Sequence, residues 1–116
     1  QRVDSYSFGI LFWQICSLQT PYAGFNTRMH ADKVVRGGHR PKIETSWPQS
    51  WSELMERSWH PETTNRPDFD EISDFLDQQV EALKENDGEV PSRASEIKAK
   101  KKKKSTAAQR LDVDTR

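Results

Sequence analysis

At 116 residues the chain has room for one small domain at most. Hydrophobic residues make up 33% and charged residues 31%, with a mean hydropathy of -0.96, a balance that predicts an unfolded portion. A single cysteine, Cys16, excludes a disulfide framework and points to an intracellular protein, cytoplasmic or nuclear.

The formal net charge of zero is a sum of unlike parts. Residues 1–84 carry a net −3 and hold every Trp, Phe and Tyr of the chain, whereas residues 85–116 carry a net +3 and hold no aromatic residue. A domain over 1–84 followed by a disordered basic tail over 85–116 is therefore expected.

In chain order, the stretch from Asp4 to Leu18 reads as a helix. Asp4 is placed to cap it, because a carboxylate there can accept the free N–H groups of the first turn and oppose the positive end of the dipole. From Phe8 to Leu18 the apolar residues point in nearly every direction, interrupted only by Gly9, Gln14 and Ser17. A helix apolar all round is expected to be buried on all sides. It is about half the roughly 20 residues that a membrane span requires. Asp4 beside Arg2 and the lack of a small-residue cleavage site before Pro21 argue against a secretory signal. A chain entering so apolar a helix within a few residues is read as a fragment, or a truncated product, whose missing N-terminal part supplies much of the covering surface.

Pro21 and Gly24 mark a turn. Asn26 or Thr27 then caps a second helix running to about Arg36, with Met29, Val34 and Val35 as its apolar contacts and Gly37-Gly38 as its stop. The segment from His39 to Pro48 is irregular, since each proline pushes its predecessor toward an extended conformation. Ser50 and Glu53 have the spacing of a capping box that opens a third helix, on which Trp51, Leu54, Met55 and Trp59 share a face and which Pro61 closes. Asp68 opens a fourth with Phe69, Ile72, Phe75, Leu76, Val80 and Leu83 as its stripe, fraying at Asn86-Asp87-Gly88. From Pro91 to Arg116 no periodic apolar face is present. The fold class expected is mainly α, with no segment of 1–84 requiring a strand.

Chemistry-bearing constellations are lacking. Asp68, Asp70, Asp74 and Asp77 miss the calcium-loop pattern, with Ile72 at a ligand position, Ser73 at the glycine position and Gln79 at the closing one. His30, His39 and His60 lack zinc spacing. Gly37-Gly38 has no following Lys-Ser/Thr, and Ser7 beside Gly9 is preceded by Ser5 where a nucleophile elbow needs glycine. No catalytic, cofactor-binding or metal-binding residue is assigned within the chain.

The run Asp4-Ser5-Tyr6-Ser7-Phe8-Gly9-Ile10-Leu11-Phe12-Trp13 is followed in order by Thr20-Pro21-Tyr22, Gly38-His39-Arg40-Pro41, Trp47-Pro48, Trp51, Leu54-Met55, Ser58-Trp59 and Asn65-Arg66-Pro67-x-Phe69. Taken together these resemble the C-terminal lobe of a protein kinase, helices F to I, most closely in the tyrosine-kinase-like group, over about residues 3–84. The resemblance makes the opening helix the central helix F. It implies that Asp4 anchors backbone N–H groups of the catalytic loop and that Leu11 and Ile15 support the hydrophobic stack ending at the adenine ring. It also implies that Arg66, with Trp59 packed near it, pairs with the glutamate closing the activation segment. Gln14 departs from the glutamate usual in this group, and so removes a charge that helps orient basic substrates.

The same resemblance implies a parent that transfers the ATP γ-phosphoryl group to Ser/Thr, or Tyr, of protein substrates in signalling. ATP and Mg²⁺ would be held by residues upstream of Gln1, as would the catalytic loop. This segment would then be a scaffold, inactive alone, that binds the missing N-terminal part of the domain and docks protein substrates or regulators on its second helix. A pseudokinase parent fits the same residues. The rival from another class is a small helical interaction domain whose lysines, Lys98 and Lys100 to Lys104, contact nucleic acid or serve as a nuclear import signal. The lysine run has no interleaved aromatics for base stacking.

Overall fold

A computed structural model describes residues 2–114, and every regular element among them is a helix. The expected tail's last two residues, 115 and 116, lie outside the described residues.

The first helix, α1 (Val3–Ser17), starts one residue earlier than expected. Arg2 takes the capping position, so Asp4 lies within the first turn and its carboxylate caps no N–H group. What remains of its expected role is the favourable charge at the positive end of the dipole. The helix stops without a glycine: Leu18 adopts a left-handed conformation, φ 55°, and donates its N–H to the Gln14 carbonyl at 2.9 Å.

Burial of α1 is confined to one stripe, Ser5, Gly9 and Trp13, which recur every four residues and so lie along one face. The helix is thus less covered than so apolar a sequence demands, as expected for these residues taken without the rest of their domain. Ser5 donates to the Pro67 carbonyl at 2.6 Å, and the Trp13 indole N–H to the Lys42 carbonyl at 2.6 Å. Gly9 lies against α3 (Gln49–Ser58): a Cβ at this position would stand 2.8 Å from the Ser58 Cβ and 3.3 Å from the Met55 carbonyl oxygen. Trp13, Met55 and Trp59 form the centre of the core, flanked by Ile10, Phe12, Ile43 and Trp47.

The second helix, α2 (Thr27–Met29), is capped by Asn26, whose Oδ1 accepts the Met29 N–H at 2.8 Å. It then rewinds as a π-helix over His30–Arg36. In this winding Val34 is buried while Val35 faces solvent, so the apolar contact expected of Val35 is not made. Gly38, at φ 70°, follows the helix end, and the His39 N–H closes onto the Lys33 carbonyl at 2.8 Å.

The capping box expected at Ser50 and Glu53 does not form. Helix α3 begins at Gln49 behind Pro48, Glu53 instead accepts from the Gln49 side chain at 3.0 Å, and Ser50 lies inside the first turn. At α4 (Phe69–Glu85) the cap is the one expected: Asp68 Oδ1 accepts the Glu71 N–H at 2.9 Å. The bidentate contact of Arg57 with Glu71, 2.8 and 3.0 Å, ties α3 to α4. Ile72 alone of the α4 stripe is buried, and the helix ends ahead of Asp87 and Gly88, both at positive φ.

Where the sequence predicts a tail without an element, the structure has α5 (Arg93–Asp114). Its composition explains the helix, since Ala, Lys, Glu and Gln are good helix formers needing no apolar face. Its first turn is docked on α3. Arg93 donates to the Trp47 carbonyl at 3.0 Å and to the Ser52 hydroxyl at 2.7 Å, and Glu96 accepts from the Ser50 N–H.

Candidate functional site

Helix α1 presents two surfaces that the rest of the chain leaves open. The first is a cleft of mixed character, about 530 Å³, lined by residues including Tyr6, His30, Val34, Gly38, Arg40 and Arg66. Two guanidinium groups flank one ring: the Cζ atoms of Arg40 and Arg66 each lie 5.2 Å from the Tyr6 centroid. Each is held by consecutive carbonyls at the end of α3. Arg40 Nε donates to Trp59 O at 3.1 Å and Arg66 Nε to His60 O at 2.7 Å. Arg66 Nη1 also reaches the Arg2 carbonyl at 3.2 Å.

These bonds fix two positive charges beside a ring and use only part of their donor capacity. Such an arrangement suits a carboxylate, which accepts parallel N–H bonds from a guanidinium. Arg66 is thus half-buried and positioned rather than a solvated helix-start residue. Trp59 is fully in the core, and it supports the arginines through its backbone carbonyl, which holds Arg40.

An aromatic cluster borders the cleft. The Tyr22 ring lies 5.4 Å from His30, 5.7 Å from Phe25 and 6.2 Å from His39. Its backbone is left-handed, φ 54°, and its hydroxyl is buried without a hydrogen-bond partner among the described residues. Burial first, and the neighbouring Tyr6 hydroxyl second, push the Tyr22 pKa well above the ordinary phenol value.

The second surface is apolar, a groove of about 330 Å³ whose lining includes Phe8, Leu11, Phe12, Ile15, Leu76 and Val80. Leu11 is 52% exposed, Ile15 64%, Leu76 38% and Val80 49%. Cys16 also lines it, and burial pushes that thiol up to about 11, so it is protonated and unreactive near neutral pH.

The five residues singled out in the sequence are thus distributed over different places. Asp4 is exposed on the first turn of α1 and accepts no hydrogen bond among the described residues; Leu11 and Ile15 share the groove; Trp59 and Arg66 adjoin the cleft. Sequence reasoning missed Tyr6 and Arg40 as cleft residues. Arg40-Pro41 was visible as part of a motif, but nothing local tells that positions 6, 40 and 66 converge. Among the described residues no group of His, Cys, Asp or Glu could hold a metal ion, and no helix is long and apolar enough to cross a membrane.

The family model for protein tyrosine and serine/threonine kinases matches residues 1–76. The chain is 33% identical over 101 residues to the serine/threonine/tyrosine-protein kinase HT1 of Arabidopsis thaliana, covering 87% of this chain and 26% of that protein. It is 35% identical over 94 residues to the Arabidopsis serine/threonine-protein kinase STY46, covering 81% of this chain and 16% of the relative. A probable serine/threonine-protein kinase of Dictyostelium discoideum is 35% identical over 78 residues, 67% of this chain and 8% of the relative. The chain therefore spans about a quarter or less of the length of these relatives.

Proposed function

The chain belongs to the protein tyrosine and serine/threonine kinase family, and from that premise we propose that it is the helix F to helix I scaffold of a domain that transfers the ATP γ-phosphoryl group to protein hydroxyls. The names of these relatives support Ser/Thr as acceptor, with Tyr included for one of them. A role in intracellular signalling, in the cytoplasm or nucleus, accords with such chemistry.

The observation that carries this reading is the pair of apolar side chains Leu11 and Ile15 left more than half exposed on the apolar helix α1. An apolar groove and an arginine-lined cleft on one helix are what a scaffold presents to the remainder of its own domain. In this reading Leu11 and Ile15 support the stack that ends at the adenine ring, and the Asp4 carboxylate accepts backbone N–H groups of the catalytic loop. Arg66, held beside Tyr6 and Arg40, pairs with the glutamate that closes the activation segment. The exposed side of α2 and its π-helical continuation docks protein substrates or regulators.

No chemical step is assigned to this segment, and the catalytic groups, ATP and Mg²⁺ belong to the parent's other residues. A phosphotransfer assay on a protein substrate tests the proposal. The parent protein should transfer phosphate, the 116-residue chain alone should not, and Asp4→Ala in the parent should lower kcat at least tenfold. Transfer by the isolated chain, or a fully active Asp4→Ala parent, would overturn it.

A further inference from the structure

Beyond the kinase scaffold, we infer that α5 is a basic arm that binds duplex nucleic acid, with Lys98, Lys100, Lys101, Lys103 and Lys104 set against the phosphates on both sides of a groove. Three observations carry it. The helix is anchored through its first turn: Arg93 reaches the Trp47 carbonyl and the Ser52 hydroxyl, and Glu96, 14% exposed at its side chain, sits on the Ser50 N–H. Beyond that anchor the lysines are exposed, in a molecule that measures 65 × 31 × 22 Å. Lys100 lies near the anchor, with its Nζ 4.0 Å from a Glu96 carboxylate oxygen.

The distribution of charge selects the partner. Successive residues of a helix turn by about 100° and rise 1.5 Å, so the run from Lys98 to Lys104 spreads its ammonium groups around the whole circumference within about 9 Å. A flat anionic surface can meet only one side of such a cylinder. The major groove of a duplex, about 12 Å wide and walled by phosphates on both sides, admits a helix and meets both sides at once. Membrane insertion requires an apolar face, and none of the residues from Lys98 to Ser105 supplies one except Ala99. No aromatic residue lies on α5, so a single strand finds no stacking platform. Recognition is electrostatic and independent of base sequence.

The test uses the full 116-residue chain and a fluorescein-labelled DNA duplex of random sequence, with anisotropy read at increasing NaCl. With about four phosphates neutralised, the slope of log K against log salt should be about −3.6, a loss of about 150-fold between about 50 and 200 mM salt. The triple variant Lys101→Gln, Lys103→Gln, Lys104→Gln should bind at least tenfold more weakly with a slope reduced by two to three. Circular dichroism of that variant, unchanged in helix content, separates lost charge from lost helix. Binding to a single strand of equal charge should be weaker than to the duplex. The inference is overturned by any of four results: no duplex binding at about 50 mM salt, binding unaffected by the triple variant, a single strand bound as tightly as the duplex, or phosphatidylserine vesicles bound more tightly than the duplex. Because the assay reads neither ATP nor phosphotransfer, its failure leaves the kinase reading standing.

Discussion

Glu96 caps a helix to which it does not belong: both oxygens of its carboxylate lie 3.2 Å from the Ser50 backbone nitrogen in the first turn of α3. The acceptor comes from 46 residues downstream and places a negative charge at the positive end of the α3 dipole.

Glu96→Ala is therefore expected to destabilise the chain by about 1 kcal/mol, the usual scale for loss of a helix cap. Urea unfolding measures the change. Amide exchange at Ser50 should accelerate in the variant, because its N–H then has no protein acceptor, whereas Glu53→Ala should leave that amide unchanged.

Gly9→Ala should cost about 1–3 kcal/mol, since the added methyl would meet the Ser58 Cβ at 2.8 Å with the Met55 carbonyl behind it. Adding Ser58→Gly removes the atom that is struck, and the double variant should recover part of the loss in a double-mutant cycle. Ser58→Ala keeps that Cβ and cannot rescue. Alone it should be neutral or stabilising by up to about 1 kcal/mol, because the Ser58 hydroxyl is buried without a partner among the described residues.

Leu11→Ser with Ile15→Ser should leave the stability of the 116-residue chain within about 0.5 kcal/mol, as expected of exposed positions. It should also reduce the chain's self-association in light scattering. In the parent protein the same pair of changes should destabilise the domain and lower phosphotransfer at least tenfold. A parent indifferent to both would remove the groove from the scaffold.

The Arg57–Glu71 contact sets an acid-side pH dependence. The hydrogen bond from Arg57 holds the Glu71 carboxyl below its ordinary value. A depressed carboxylate contributes its stability above the unfolded-state pKa of about 4.3, and that contribution is lost as the pH falls through the lower folded-state value. Both side chains are half exposed, so the effect should stay below about 1 kcal/mol. Arg57→Gln should flatten the difference in stability between about pH 6 and pH 3 by that amount, measured by thermal unfolding.

Caps whose donor and acceptor are three residues apart were legible in the sequence. Asn26 to Met29 and Asp68 to Glu71 form as the residue types require, and the stop at Asp87-Gly88 follows from the positive φ that glycine accepts. The family was legible for a related reason, since motif residues keep their order along the chain whatever they touch.

Other features depended on partners far away in sequence. Ser50 and Glu53 have capping-box spacing, yet the structure satisfies the Ser50 N–H with Glu96, and only the docking of Arg93 makes that carboxylate available. Tyr6, Arg40 and Arg66 converge because Trp59 and His60 offer adjacent carbonyls at the end of α3. By itself the sequence determined the first four helices, the caps at Asn26 and Asp68 and the family, because these rest on motif order and on sterics and hydrogen bonds within one turn of chain. Only the tertiary structure decided which single stripe of α1 is buried and which two surfaces stay open, because burial depends on what packs across the helix and not on how apolar the helix is.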